Sequence, residues 1–589
     1  MHRSLSLLFF FIMLSSTITV AASSPTFQLE SEGNRGSFEP AECWFDSPIP
    51  LLMGSDFECG YVTVPEFHSD PDGRTIRIPV AILRSKVENP APDPLFMAQG
   101  GPGGDAFEVF PILTGQKAET LGRDIVIFNQ RGTRYAEPNL MCTESFEAAQ
   151  EILMLSGDEA DNRAVEALSA CYERLLEEGT NPSAYNSLEN AADVDVIREA
   201  LGYDEYNFYG VSYGTLLGLH LMRNHPDQLR SVILDGVVPP DLNFIPQVAR
   251  NTDRVFTEII QTCENDAECR AEFPDLENRF FALVDGLNQS PETLTIRDPE
   301  TGERVETLLN GDALVEVLFQ AFYLPDAYAT FPKLVANLEE GDYTFIRGIW
   351  PLIALDRTLS EGMYFSVICA EDADFYPEEV MVEGIRPYFA DGAVSEMQSY
   401  LDVCEIWQVN QLPAEVDNAV QSDIPTLLLS GHYDPITPPD FAAVAAEGLD
   451  NGYTFVDPTG SHGVALADSC LDGIVQQFLE SPEREPDGSC LEEIEPTDFV
   501  AADAISFPFL GEINQFSPSM WTQLGFASLF LIGILSSYLV LPVAWLIGVL
   551  RKKDHLARTY DPKARRLKWI GGILAFLFGM LALIFVSGV

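Results

Sequence analysis

A serine becomes a nucleophile when a base takes its proton, and residues 206–224 hold a serine placed for that. Gly210-Val211-Ser212-Tyr213-Gly214 follows the apolar YNFY and precedes TLLGLHLMR. A G-x-S-x-G run between a strand and a helix seats its serine on a tight elbow, where the flanking glycines leave room for strained backbone. Ser212 would thus project its hydroxyl. A hydroxyl is a weak nucleophile near neutral pH and needs a general base, normally a histidine that a carboxylate orients. Asp434, in Ser430-Gly431-His432-Tyr433-Asp434-Pro435, comes directly after the apolar PTLLL, and His462, in Gly460-Ser461-His462-Gly463, comes after YTFV. The chain order Ser, Asp, His fits side chains carried at the ends of successive strands. His432 is a rival base, though only two residues from the proposed carboxylate, and Asp457 is a rival carboxylate. His220 and His225, on or after the helix that follows the elbow, read as packing or surface residues.

Attack on a carbonyl builds negative charge on its oxygen, and two fixed backbone N–H groups can stabilise that charge. Tyr213, next after the serine, supplies one. The loop Gln99-Gly100-Gly101-Pro102-Gly103-Gly104, after the apolar PLFMA, supplies the other, from Gly101. Its glycines could instead cradle a phosphate, but no lysine follows as in GxxxxGK and the spacing is wrong for GxGxxG. The seven histidines show no HExxH, and no paired CxxC is present, so no zinc ligand set is expected and the chemistry needs no cofactor.

These residues need a scaffold of strand ends. Apolar segments recur before glycine-rich or polar turns at 94–101, 124–132, 206–214, 231–236, 425–434 and 453–463, with helix-period stretches such as 189–201 and 214–224 between them. Strands alternating with helices predict an α/β fold with a mostly parallel central sheet covered on both faces, its site beyond the carboxyl ends of the strands. From Asp241 to about Asp423 the rhythm fails, and the sequence turns helix-like and rich in acidic and aromatic residues. We read a core in two parts, 40–240 and 424–495, with a mainly helical cap, 241–423, inserted between them.

The ends of the chain set the compartment. Residues 1–22 have a charged start, an apolar centre and small residues before a cut after Ala22, the pattern of a signal peptide. Residues 523–550 and 569–589 are free of charge and long enough to cross a bilayer. Between them 551–568 carry eight basic and two acidic side chains, and positive short loops stay on the cytoplasmic side. Residues 496–522 read as a tether. The catalytic bulk is therefore expected to be membrane-anchored and to face outward, as a periplasmic or cell-surface domain.

The 589 residues carry 34 Lys+Arg against 90 Asp+Glu, a formal net charge of −56. Such a surface repels nucleic acid and itself, and salt screens it, so we infer a salty habitat. Ten cysteines, an even number, all lie outside the spans, and export permits disulfides. Nearest-neighbour pairing closes only local loops, but sequence does not fix connectivity.

Together these motifs resemble the α/β-hydrolase superfamily and, within it, the proline iminopeptidase and tripeptidyl aminopeptidase group of secreted serine peptidases. The resemblance rests on CGYVTVPEF at 59–67, QGGPGG at 99–104, NQRGT at 129–133, NAADVDVIREALG at 190–202, GVSYGT at 210–215, the Cys369 and Cys404-Glu405-Ile406-Trp407 region, and the Cys470 and Cys490 tail. It spans about residues 40–492. It implies Ser212, Asp434 and His462 as a triad, and a carboxy-terminal family region that starts near Cys369. It also implies that Glu371 and Asp372, in Cys369-Ala370-Glu371-Asp372, bind a protonated substrate amine, so short peptides with a free amino terminus are the expected substrates. The chain departs from the group's pattern at Gln99, where histidine is common, and at Asn129-Gln130-Arg131-Gly132-Thr133-Arg134, where D-x-R-G-x-G is usual. The same triad could also serve an ester or other small acyl substrate, or the fold could persist in a tethered binding protein without turnover.

Overall fold

The computed structural model describes residues 36–45, 57–114, 117–243, 245–324, 327–373, 382–465 and 469–502. The signal peptide, both predicted spans, the basic loop between them and most of the tether lie outside the described residues. Among the described residues no helix is long and apolar enough to cross a membrane.

Eleven strands are present among the described residues: β1 (Phe38–Ala41), β2 (Phe57–Pro65), β3 (Thr75–Leu83), β4 (Ala91–Ala98), β5 (Arg123–Phe128), β6 (Tyr206–Val211), β7 (Leu229–Asp235), β8 (Glu292–Arg297), β9 (Arg304–Leu309), β10 (Thr426–Gly431) and β11 (Gly452–Asp457). Nine form one sheet in the order β1-β2-β3-β5-β4-β6-β7-β10-β11. From β5 to β11 every pairing is parallel, while β1, β2 and β3 add an antiparallel edge. Each of the six apolar segments read from the sequence overlaps one strand of the parallel part.

Parallel strands covered on both faces must be apolar on both, which is why these segments read as unbroken runs. Along each, alternate residues feed different cores. Leu428, Phe208 and Val232 pack with the helices Ser187–Leu201, Tyr213–Asn224 and Pro439–Ala446 on one face. Leu427, Leu429, Tyr209 and Ile233 pack with Ala106–Thr114 and Ser469–Glu480 on the other.

The described residues of 241–423 are mainly helical, with one antiparallel hairpin of β8 and β9 among them. Their own core gathers around Phe256, Phe280 and Phe331, whose ring centroids lie 5.0–5.8 Å apart. The hairpin breaks the helical pattern because Leu294 and Ile296 alternate with exposed residues, as do Val305, Thr307 and Leu309 opposite them. The helices Thr143–Ile152 and Asp158–Glu177, which lie before the elbow in the chain, also reach this layer: the Leu308 N–H donates to the Leu153 carbonyl at 2.8 Å.

All ten cysteines are paired, Cys43 with Cys59, Cys142 with Cys171, Cys263 with Cys269, Cys369 with Cys404 and Cys470 with Cys490.

Candidate active site

The strand β6 ends at Val211 and the helix Tyr213–Asn224 begins two residues later, so the whole turn is made at Ser212. Its backbone sits at φ 56°, ψ −125°. A non-glycine residue there costs on the order of 1–3 kcal/mol, and the surrounding fold must hold it. Two bonds do so: the Ser212 N–H donates to the Asp235 carbonyl at 2.9 Å, and its own carbonyl accepts from Thr215 N–H at 2.8 Å. Tyr213 is the first residue of its helix, so its N–H has no intrahelical acceptor.

The loop after β4 lies directly against this elbow. A Cβ at Gly100 would stand 2.6 Å from Ser212 Cβ, so only glycine allows the approach. Gly101 takes φ +117°, and a Cβ there would meet the amide nitrogens of Gly103 and Gly104 at 2.8 Å. The segment after β5, which departs from the usual pattern at Asn129, braces the same loop. Gln130 Nε2 donates to the Gln99 carbonyl at 2.7 Å, and Asn129 holds Ala106 N–H at 2.7 Å and Asp105 at 2.9 Å. Arg131 is fully buried, with Asp193 at 2.7 and 2.8 Å and the carbonyls of Glu66 and Ala184 around it.

The loops after β10 and β11 bring Asp434 and His462 together. Asp434 is fully buried; its Oδ2 accepts from His462 Nδ1 at 2.8 Å and from Thr437 Oγ1 at 2.7 Å. Its Oδ1 accepts the N–H groups of Ile436 and Thr437 at 3.0 and 2.8 Å. Burial alone would push this carboxyl up, but the imidazole and these donors hold it below the usual carboxylate range. For His462 burial pulls the other way, and the charge and hydrogen bond of Asp434, with the charge of Asp235, outweigh it and raise the imidazole. With Nδ1 committed to Asp434, Nε2 is the nitrogen left for a substrate-side proton.

Ser212 and His462 line one cavity of about 1120 Å³, together with Gly101, Tyr213, Glu371 and Asp372. Among the described residues, nine carboxylate side chains and no lysine or arginine line it. Glu371 is 6% exposed and accepts two hydrogen bonds from Ser187 at 2.7 Å, and Ser187 Oγ lies 2.9 Å from the Tyr213 hydroxyl. Burial pushes Glu371 up to about 7. Asp372 caps the helix Glu361–Glu371 and accepts from Asn243 Nδ2 through its carbonyl.

The rivals go elsewhere. His432 points out of the cavity, 41% exposed, with Glu258 3.4 Å from its Nε2. Asp457 spends its carboxylate on the N–H groups of Thr459 and Gly460 at 2.8 and 2.9 Å, shaping the turn before His462. His225 is half-buried. His220 is fully buried and does line the cavity, and burial pushes it down to about 3, so it is neutral.

Sequence reasoning missed four neighbours of the imidazole and the nucleophile. Thr437 bridges Asp434 and His462, with Oγ1 3.1 Å from Nδ1. Tyr323, from the cap, meets the imidazole edge to face at a centroid distance of 4.9 Å. Ser187 joins Glu371 to Tyr213, and Asp235 stands behind His462. Only Asp235 left a local trace, as the acidic residue closing the apolar SVILDG.

Among the described residues no group of His, Cys, Asp and Glu could hold a metal ion. What the arrangement can do is move a proton from a hydroxyl to an imidazole backed by a buried carboxylate, in a pocket whose N–H groups can meet an oxyanion.

Residues 93–272 match the family model for the alpha/beta hydrolase fold, and residues 390–490 that for TAP-like protein. The chain is similar to serine protease Hip1 of Mycobacterium tuberculosis, 25% identical over 482 residues, covering 76% of this chain and 89% of that one. It is 33% identical to tripeptidyl aminopeptidase of Streptomyces lividans over 218 residues, 34% of this chain and 39% of that one. Among solved structures it is similar to proline iminopeptidase of Mycobacterium smegmatis, at 15% identity and a TM-score of 0.36, covering 72% of this chain and 98% of that one. With the site's geometry, these similarities make the chain a serine peptidase of the alpha/beta hydrolase fold, with a TAP-like segment at 390–490.

Proposed function

We propose that this serine peptidase is an aminopeptidase, releasing residues or short peptides from peptide amino termini through an acyl-enzyme on Ser212. His462 deprotonates Ser212 as it attacks the carbonyl, with Asp434 orienting the imidazole and holding its charge. The oxyanion rests against the N–H groups of Gly101 and Tyr213. His462 then protonates the departing amine, and water, deprotonated by the same imidazole, releases the acyl group. The substrate ammonium meets Glu371 and Asp372. The observation that carries this reading is the cavity itself, which puts Ser212, a carboxylate-backed imidazole and, among the described residues, nine acid side chains in one space. A protonated amine is the group such a wall favours.

The signal sequence at 1–22 and the charge-free segments 523–550 and 569–589 support a membrane-anchored enzyme with its catalytic domain outside the cytoplasm. Amino-terminal sequencing of the mature protein is expected to start at Ser23 if the leader is removed after Ala22.

The deciding assay compares peptide amides with free and blocked amino termini, alongside simple esters, for the wild type and Ser212→Ala. Free-amine peptides are expected to be turned over fastest and only by the wild type. Faster turnover of blocked peptides or esters would return the site to a general acyl hydrolase. A folded wild type that takes no fluorophosphonate label would make it a binding protein.

A further inference from the structure

Asp235 closes β7 and is fully buried, yet it is not the carboxylate that touches the imidazole. Its side chain instead grips the chain just beyond His462. Oδ1 accepts the N–H of Val464 at 2.9 Å, and Oδ2 accepts the N–H of Ala465 at 2.8 Å and the Tyr209 hydroxyl at 2.8 Å. Its backbone carbonyl accepts the N–H of Ser212. One residue is therefore bonded both to the nucleophile's elbow and to the loop that carries the base.

The surroundings define what this does. Around the imidazole stand Asp434 and Thr437 from the loop after β10, the ring of Tyr323 from the cap, Ser212 across the cavity, and Asp235 with Tyr209 behind it. The Arg254 guanidinium donates to the carbonyls of His432 and Asp434. Burial raises the Asp235 carboxyl above the usual carboxylate range, and the N–H groups of Ala465 and Val464, the Tyr209 hydroxyl and the charge of His462 draw it back toward the anion. Its charge then acts on the nearest group able to become positive, which is His462, and the charge of Asp235 contributes to raising that imidazole.

We propose that Asp235 is a positioning residue for the acyl transfer: it fixes the His462 loop relative to Ser212 and supplies a second negative charge that stabilises the imidazolium formed during attack. This rests on the hydrolase reading of Ser212 and His462, but not on which acyl substrate is used.

The test is Asp235→Asn, which keeps the shape, removes the charge and leaves one acceptor for the two N–H groups. Fluorophosphonate labelling of Ser212 and hydrolysis of an amino-terminally blocked peptide amide are each followed from pH 5 to 9. Expected are a 10- to 100-fold fall in labelling rate and kcat, KM within about threefold, and an acidic limb displaced to lower pH. Tyr209→Phe, which removes a donor that favours the ionised Asp235 and so leaves less charge there, should displace the limb the same way by less. Wild-type kcat and an unmoved limb in Asp235→Asn overturn the proposal. Should that variant not fold, Tyr209→Phe decides, and an unmoved limb overturns it. A wild type that takes no label overturns this proposal together with the hydrolase reading, whereas normal labelling in both variants overturns this one alone.

Discussion

Ser187 donates twice to Glu371, from its backbone N–H and from its hydroxyl, each at 2.7 Å. Ser187 opens the helix Ser187–Leu201, so the carboxylate sits where a helix N-terminus favours negative charge. Burial opposes this and prevails, leaving the group titrating at about 7.

Amine recognition should therefore depend on pH within a narrow window. Glu371 is ionised above about 7, and a peptide α-amine keeps its proton up to roughly 7.7–8. KM for free-amine peptides should be lowest between those values and rise on both sides, while KM for blocked substrates stays flat. Glu371→Gln should raise KM for free-amine peptides about 10- to 100-fold, as loss of one charge-assisted hydrogen bond implies, and remove the acidic rise.

The base can be read separately on a blocked substrate, which does not engage Glu371 through an amine. His462 must be neutral to accept the serine proton, and its folded value lies above the ordinary imidazole range. The acidic limb of kcat/KM should thus fall above about pH 6.5. His462→Ala should lower kcat by several orders of magnitude, whereas His432→Ala, aimed at Glu258 outside the cavity, should stay within about threefold.

Gly101→Ala tests the loop after β4. The new Cβ would collide with the amides of Gly103 and Gly104 in a backbone conformation that alanine resists. Displacing one oxyanion donor costs about 10²–10³ in kcat, so that loss is expected with intact folding, measured by steady-state kinetics beside a thermal melt.

Arg131 bears on stability. It is fully buried against Asp193, and removing one partner of such a pair leaves a buried charge uncompensated, at about 3–5 kcal/mol. Arg131→Met should lower the urea midpoint accordingly. Arg131→Met with Asp193→Asn should cost less than the sum of the two single changes.

The parallel half of the sheet was legible because strands such as Leu427–Leu429 are buried on both faces and so are written as apolar runs closed by turn residues. The same punctuation marked the loops where Ser212, Asp434 and His462 stand. Other parts left weaker signals. β8 and β9 bury alternate residues in short segments amid helices, and the antiparallel edge of β1 to β3 lies ahead of the first glycine loop, with no helix between its strands among the described residues. Thr437 and Tyr323 matter through where the fold takes them; nothing beside either in the chain announces an imidazole. The bond from Asp235 to Val464 joins positions 229 residues apart, a distance over which local pattern carries no information.

The five cross-links share a property that concerns how the molecule is made. Each bridge joins two cysteines that are consecutive in the chain, and no bridge encloses or overlaps another. A polypeptide delivered from its amino end can close every bridge before the following pair has emerged. Correct oxidation then needs only succession in time, and a mispaired thiol arises only when a neighbour is skipped.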